Sequence, residues 1–267
     1  MLPKADRAIR ANGSGPVDAA TPKNSEARIF PRLDPAAIQG ARIVLCDLDG
    51  CLMSAGRAFD DAVDYVEACG ERIWVVSNRS DMTAPELSVC LQHLGLQIPP
   101  SRIILAGEFA LDHLSAHGLR RLALYAAPAL HAHARRLGLD PDDAEDPEAV
   151  LLCRDPALTV DGMGPLLNML DSGAPLWVSN EDLSHPDHRH RPIAETGALL
   201  AALRAIRPDL TWQSLGKPEP AMLLHALRLS GNQPGNAIFV GDNPRTDGAA
   251  AAAAGIPFHH IQRARKS

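Results

Sequence analysis

The sequence predicts an α/β protein: a doubly wound parallel sheet covered by helices on both faces, with a smaller α/β domain inserted into it. Three observations carry this. Short apolar runs recur without polar alternation, as strands buried on both faces require. Segments of helical spacing separate them, which is the rhythm of βαβ units. A span of 139 residues between Asn78 and Lys217 exceeds what one core helix and strand need, and leaves room for a second domain.

The elements follow in order. Residues 1–38 are rich in Ala, Pro, Gly and charge and read as a mobile tail; they lack the apolar segment of a secretory signal, and Asp6, Asp18 and Glu26 argue against a transit peptide. "RIVLCDL" (42–48) is an apolar strand, and "FDDAVDYVEACG" (59–70) a helix with Ala62, Val63, Val66 and Cys69 on one side and Gly70 as its stop. "RIWVVSN" (72–78) is a strand, "APELSVCLQHLGL" (84–96) an amphipathic helix and "RIILAG" (102–107) a third strand. The inserted domain, 108–210, repeats the rhythm more weakly. Its strands are "LALYA" (122–126), "AVLLC" (149–153) and "PLWVSN" (175–180), with an acidic loop (139–149) and the polar loop "EDLSHPDHRHRP" (181–192) between elements. Strong signals return with the helix "PAMLLHALRLSG" (220–231), the strand "AIFVGD" (237–242), the helix "DGAAAAAAGI" (247–256) and "PFHHI" (257–261), a strand that closes the sheet. The core domain is thus 39–107 together with 211–267.

Composition narrows the function. The chain has 267 residues, 46% hydrophobic and 22% charged, with a net charge of -6 and no Lys/Arg stripe, so it is no candidate for nucleic-acid binding. No apolar run approaches the roughly 20 residues of a membrane-spanning helix. Five cysteines without a CxxC pair point to free thiols in a reducing cytoplasm.

The chemistry gathers at strand ends. Asp47 and Asp49 lie two apart at the end of an apolar run, so both face one side. In open parallel sheets that is where ligands bind. Two carboxylates side by side call for a proton or a cation. Ser77 and Asn78 end the second strand, Lys217 stands between Gly216 and Pro218 before a helix, and Asp242 ends a later strand with Asp247 five residues on. Hard oxygen donors beside an amine suit Mg²⁺ and a phosphate.

These four segments, DxDG (Asp47, Asp49, Gly50), S-N (Ser77, Asn78), GKP (Lys217) and GDxxxTD (Asp242, Asp247), resemble the haloacid dehalogenase superfamily of phosphatases. The resemblance implies a Rossmann-like core and a Mg²⁺-dependent hydrolysis of a small phosphorylated metabolite through an aspartyl-phosphate. It makes Asp47 the nucleophile, Asp49 the general acid and base, Ser77 a phosphoryl ligand and Lys217 the charge-balancing amine. Gly50 and Asn78 would shape the phosphate site. Asp47, the Asp49 carbonyl and Asp242 would hold the metal, with Asp247 and Asn243 supporting them. The insertion after the second motif is similar to the second cap type, in the subgroup of pyridoxal phosphate, phosphoglycolate and 4-nitrophenyl phosphate phosphatases. Asn180 and Glu181 would then lie on a substrate-facing cap loop, and relatives suggest a homodimer paired through the cap. A phosphoryl-transferring mutase and a catalytically silent binding or regulatory member remain open as alternatives. Cys51, where Thr or Val is commoner, reads as a turn filler, and "HPDHRH" (185–190) as a polar loop that touches substrate.

Overall fold

The computed structural model describes residues 28–263, apart from 143, 144, 188 and 190. The expected tail up to residue 27, and His188 and His190 of the polar loop, lie outside the described residues.

Along the chain, β1 (Arg28–Phe30) leads through a 3-10 turn (Pro35–Ile38) to β2 (Ile43–Cys46), and a small antiparallel hairpin of β3 (Met53–Ser54) and β4 (Arg57–Ala58) follows. Helix α1 (Ala62–Cys69), β5 (Ile73–Ser77), α2 (Ala84–His93), β6 (Ile103–Leu105) and α3 (Ala106–Ala116) come next. The middle holds β7 (Leu122–Tyr125), α4 (Pro128–Arg136), β8 (Ala149–Leu152), α5 (Val160–Asp171), β9 (Leu176–Val178), β10 (Ser184–Pro186), β11 (Pro192–Ala194), α6 (Thr196–Ile206) and β12 (Gln213–Ser214). The chain ends with α7 (Ala221–Ser230), β13 (Ala237–Gly241), α8 (Ala249–Ala254) and β14 (Phe258–Ile261).

The main sheet runs β1-β14-β13-β2-β5-β6, and every pairing in it is parallel. Strand β2 shows why its run is apolar without alternation. Ile43 and Leu45 face a core with Met222, Leu223 and Leu227 of α7, while Val44 and Cys46 face another with Tyr65 and Val66 of α1 and Leu87 of α2. Successive side chains point to opposite faces, and helices cover both, so polar residues have no place in the strand. Each of these large side chains contributes roughly 1.5–3 kcal/mol by leaving water.

A second sheet, β12-β9-β8-β7, is also parallel throughout. One face carries Val150, Leu152 and Val178 against Leu166 of α5 and Leu200 and Leu203 of α6. Its other face, through Leu122, Leu124 and Leu151, joins the core cluster that holds Phe109 and Leu114 of α3, so apolar packing is continuous between the sheets.

The structure departs from the sequence reading in five places. Residues 28–38, read as tail, supply edge strand β1 and bury Leu33 and Ile38. Strand β14 therefore does not close the sheet, because β1 lies outside it. Ala106 and Gly107 begin α3 rather than ending a strand. Gln213 and Ser214, assigned to the core, pair with Trp177 and Val178 of the second sheet. The polar loop after residue 181 folds into the antiparallel pair β10–β11.

Candidate active site

The C-terminal ends of β2, β5 and β13 open into a cleft of about 280 Å³. It is lined by Asp47, Asp49, Gly50, Ser77, Asn78, Lys217, Asp242, Asn243 and Asp247, all expected from the sequence. Segments far apart in the chain thus meet at the carboxyl edge of the sheet, as open parallel sheets dictate.

Asp47 leaves β2 with its N–H donating to the Val240 carbonyl at 2.8 Å, which ties it to β13. Its carboxylate takes the Lys217 ammonium at 2.6 Å, and Asp247 Oδ1 holds the same ammonium at 2.7 Å. Lys217 and Asp247 are almost fully buried. Burial alone would lower the Lys217 pKa, but Asp247 and Asp47 hold it well above its ordinary value, so the amine stays charged. Burial pushes the Asp47 carboxyl up against the pull of Lys217, and Asp247 and Asp242 push the same way.

Asn78 fixes the loop that delivers Lys217. Its Oδ1 accepts from the Lys217 N–H at 2.8 Å, and its Nδ2 donates to the Lys217 carbonyl and to Asp182 Oδ2, each at 3.0 Å. The Lys217–Pro218 peptide is cis. Ser77 ends β5 inside the cleft, its Oγ accepting from the Arg79 N–H at 3.3 Å. Asp247 sits in a one-turn π-helix (Pro244–Gly248), and its Oδ2 accepts from the Asn243 N–H at 3.1 Å. One carboxylate therefore aims Lys217 and closes the turn after Asp242.

Gly50 has φ of +87°, and a Cβ there would lie 1.9 Å from Asp242 Oδ2. Only glycine lets Asp242 come this close to the turn that carries Asp49. Burial, with Asp247 next, raises the Asp242 carboxyl to about 6 despite Lys217.

The residues fit a dication. Asp47, Asp49, Asp242 and Asp247 line the cleft, and Lys217 and Arg79 are its lysine and arginine, so among these groups two negative charges are left over. Donor atoms of Asp47 and Asp242 lie within 4.8 Å of one another. Burial raises both carboxyls, and neighbouring carboxylates, Asp247 for each of them, add to the rise. Carboxylate oxygens with a nearby main-chain carbonyl are the donor set of Mg²⁺. Cys51 Sγ shares that cluster, but it is buried and its thiol is pushed well up by burial and by Cys46, so it stays a neutral filler.

Two expected residues stand elsewhere. Asn180 is fully buried and does not line the cleft; its Nδ2 donates to the Asn78 carbonyl at 2.8 Å and to Ser80 Oγ at 3.1 Å, bracing the second-motif loop. Glu181 accepts from Trp212 Nε1 at 3.0 Å, away from the cleft. In their place the wall above the strand tips is built by Asp182, Ser184, His185, Pro186 and Glu195, with Ser54 from the β3–β4 hairpin. The N-x-D spacing of Asn180 and Asp182 is the signal that could have marked Asp182, while nothing in "PIAETGALL" marks Glu195. Arg79, directly after the second motif and open from the sequence to either a surface or a phosphate-facing place, lines the cleft: its Nε and Nη2 donate to the two oxygens of Asp49 at 2.8 and 2.9 Å.

A family model described as a hydrolase, haloacid dehalogenase-like hydrolase, matches residues 41–255. The chain belongs to this family. Among curated relatives of this hydrolase, the acid sugar phosphatase of Staphylococcus aureus (strain USA300) is 22% identical over 222 residues, covering 82% of the chain and 85% of the relative. The dihydroxyacetone phosphatase of Corynebacterium glutamicum (strain R) is 26% identical, covering 79% and 78%. Among solved structures, the 4-nitrophenylphosphatase of Thermotoga maritima superposes with a TM-score of 0.77 at 22% identity, over 83% of this chain and 85% of that one. A glycerol phosphate phosphatase of Mycobacterium tuberculosis in complex with magnesium gives 0.75 at 25% identity, over 83% and 68%. The resemblance drawn from the four motifs agrees with these matches. No helix among the described residues is long and apolar enough to cross a membrane.

Proposed function

We propose that this haloacid dehalogenase-like hydrolase is a Mg²⁺-dependent phosphatase of small phosphomonoesters that works through a phosphorylated Asp47. The observation that supports this most is the convergence of Asp47, Lys217 and Asp247 within ion-pair distance, with Asp242 beside them, at the mouth of the sheet.

Asp47 attacks phosphorus with a carboxylate oxygen, and the bond from phosphorus to the leaving oxygen breaks. Asp49, released from its two hydrogen bonds with Arg79 and protonated when substrate enters, gives that oxygen its proton, so the alcohol departs neutral. A water then attacks the aspartyl-phosphate, Asp49 takes a proton from it, and Asp47 is released with inorganic phosphate. Lys217, charged throughout, offsets the negative charge that gathers on the phosphoryl oxygens, and Ser77 donates its hydroxyl to one of them. Asp47, Asp242 and the Asp49 carbonyl would hold Mg²⁺, which supplies the charge that lets a dianionic phosphate approach a carboxylate. The second sheet acts as a cap. Its β10–β11 side covers the strand tips, admits small substrates and limits water during the chemistry.

The relatives named acid sugar phosphatase, dihydroxyacetone phosphatase and glycerol phosphate phosphatase support a small polar leaving group. The test is turnover of 4-nitrophenyl phosphate with Mg²⁺ by the wild type and by Asp47→Asn. Activity should fall by at least about 10³-fold in the variant, since a neutral amide is a poor nucleophile. Turnover that survives the substitution removes Asp47 from the chemistry.

A further inference from the structure

Glu195 stands at the start of α6, directly after β11, and its side chain lines the cleft while being only 8% exposed. One of its oxygens is fully committed. Oε1 accepts from His185 Nδ1 at 2.6 Å and faces Arg154 Nε at 3.6 Å. Arg154 is itself tied down, with Nη1 on Asp81 Oδ2 at 2.6 Å and Nε donating to the Ala194 carbonyl at 3.1 Å. The other oxygen, Oε2, is buried and has no hydrogen-bond partner among the described residues. A chain does not ordinarily leave a carboxylate oxygen desolvated and unpaired. Burial, the largest influence on it, raises this carboxyl to about 7, against the pull of Arg154 and of the nearby Thr196 N–H, so these two do not make up for the lost water.

The neighbourhood says what is missing. Asp182, also on the cleft wall, accepts from Asn78, and Arg79 is occupied by Asp49. Among the described residues, the wall on this side therefore holds a surplus acceptor and no spare cation. A cleft whose wall residue keeps a carboxylate oxygen without a partner is complementary to a leaving group that brings a donor and draws that carboxylate toward it.

We propose that Glu195 is the specificity-determining residue of the cap: its carboxylate accepts a hydrogen bond from a hydroxyl or ammonium group on the alcohol part of the phosphomonoester, and His185 is the positioning residue that holds it in place. This rests on the reading of the cleft as a phosphatase site. A leaving group with no donor would leave Glu195 unpaired in the closed cleft and be turned over more slowly, because a site built to bond a donor rejects the analogue lacking it.

The experiment uses the full chain with Mg²⁺ and four substrates: glycerol 3-phosphate, 2-aminoethyl phosphate, n-propyl phosphate and 4-nitrophenyl phosphate. The wild type should prefer a donor-bearing alkyl phosphate to n-propyl phosphate by about 10- to 100-fold in kcat/KM. Glu195→Ala should collapse that ratio toward one. Glu195→Gln, which keeps an acceptor oxygen and the shape, should restore part of the preference for the hydroxyl substrate and little of that for the ammonium substrate, which separates the two donors. Thermal melts and circular dichroism of both variants establish that they are folded. A preference that survives Glu195→Ala, or a loss shared equally by all four substrates, overturns the inference. A wild type inert toward all four overturns the phosphatase reading and this inference with it, whereas a wild type active on 4-nitrophenyl phosphate with no preference among the alkyl phosphates overturns the inference alone.

Discussion

Gly50 carries more of the site than its size suggests. Its positive φ and the approach of Asp242 to the position of the absent Cβ make it the point where the loop after β2 and the end of β13 are locked together. Gly50→Ala adds a methyl into the Asp242 carboxylate and strains the turn, which should cost about 1–2 kcal/mol in urea unfolding from the backbone alone. It should also raise the Mg²⁺ concentration needed for half-maximal turnover, since Asp242 must retreat. Glu195 gives a second measurement at this scale. Its carboxyl lies at about 7 folded against an ordinary 4.5, so the folded state binds more protons between those values. Stability contributed by this group is fully present below about 4.5 and lost as pH rises to about 7, by up to roughly 3 kcal/mol. Chemical denaturation of wild type and Glu195→Gln across this range reads this contribution together with the change at its partner His185, whose pKa is lowered chiefly by burial and which acts in the opposite sense. Parallel profiles would mean that Glu195 does not titrate there.

Among the elements, β1 is the one whose removal is most informative. Its three residues pair with His259, His260 and Ile261, and the turn that follows buries Leu33 and Ile38. A chain lacking residues 1–38 exposes the edge of β14 and loses both anchors, which together contribute roughly 3–6 kcal/mol. Its melting temperature should drop well below that of the full chain, and unchanged melting would show that the edge strand is dispensable. The sequence did not reveal β1 because three residues, "RIF", in a segment rich in charge and proline carry no period. The central strands were legible for the opposite reason: burial on both faces made β2, β5 and β13 apolar throughout, and each apolar run stopped at a carboxylate or hydroxyl. That pattern placed Asp47, Ser77 and Asp242 correctly. The cap wall left no such trace. Residues of β10 and β11 are exposed or half-buried, so no hydrophobic pattern marks the hairpin, and His185 in β10 meets Glu195, just past β11, only through the antiparallel pairing. Asn180 was misplaced because an amide at a strand end reads the same whether it faces a substrate or braces a neighbouring loop.

At the scale of the molecule, the site is an acidic concentration in a chain of modest net charge, -6 over 267 residues. Six carboxylates line the cleft, from Asp47, Asp49, Asp182, Glu195, Asp242 and Asp247, against the side chains of Lys217 and Arg79. Such a cluster works against folding unless a cation sits in it, so stability and activity should respond to Mg²⁺ in linked ways. A ligand that binds only the folded state at about 100 times its Kd adds about 2.7 kcal/mol, several degrees of melting temperature for a chain of this length. Asp242→Asn tests the origin of that gain. In EDTA at neutral pH the variant lacks one of the repelling charges, and it should melt above the wild type. In saturating Mg²⁺ the order should reverse, because the wild type gains the ion and the variant has lost a ligand. The same variant should hydrolyse 4-nitrophenyl phosphate poorly in both conditions. A wild type whose melting is indifferent to Mg²⁺, or a variant that keeps the full response, would mean that the carboxylates at the strand tips repel one another without holding a cation between them.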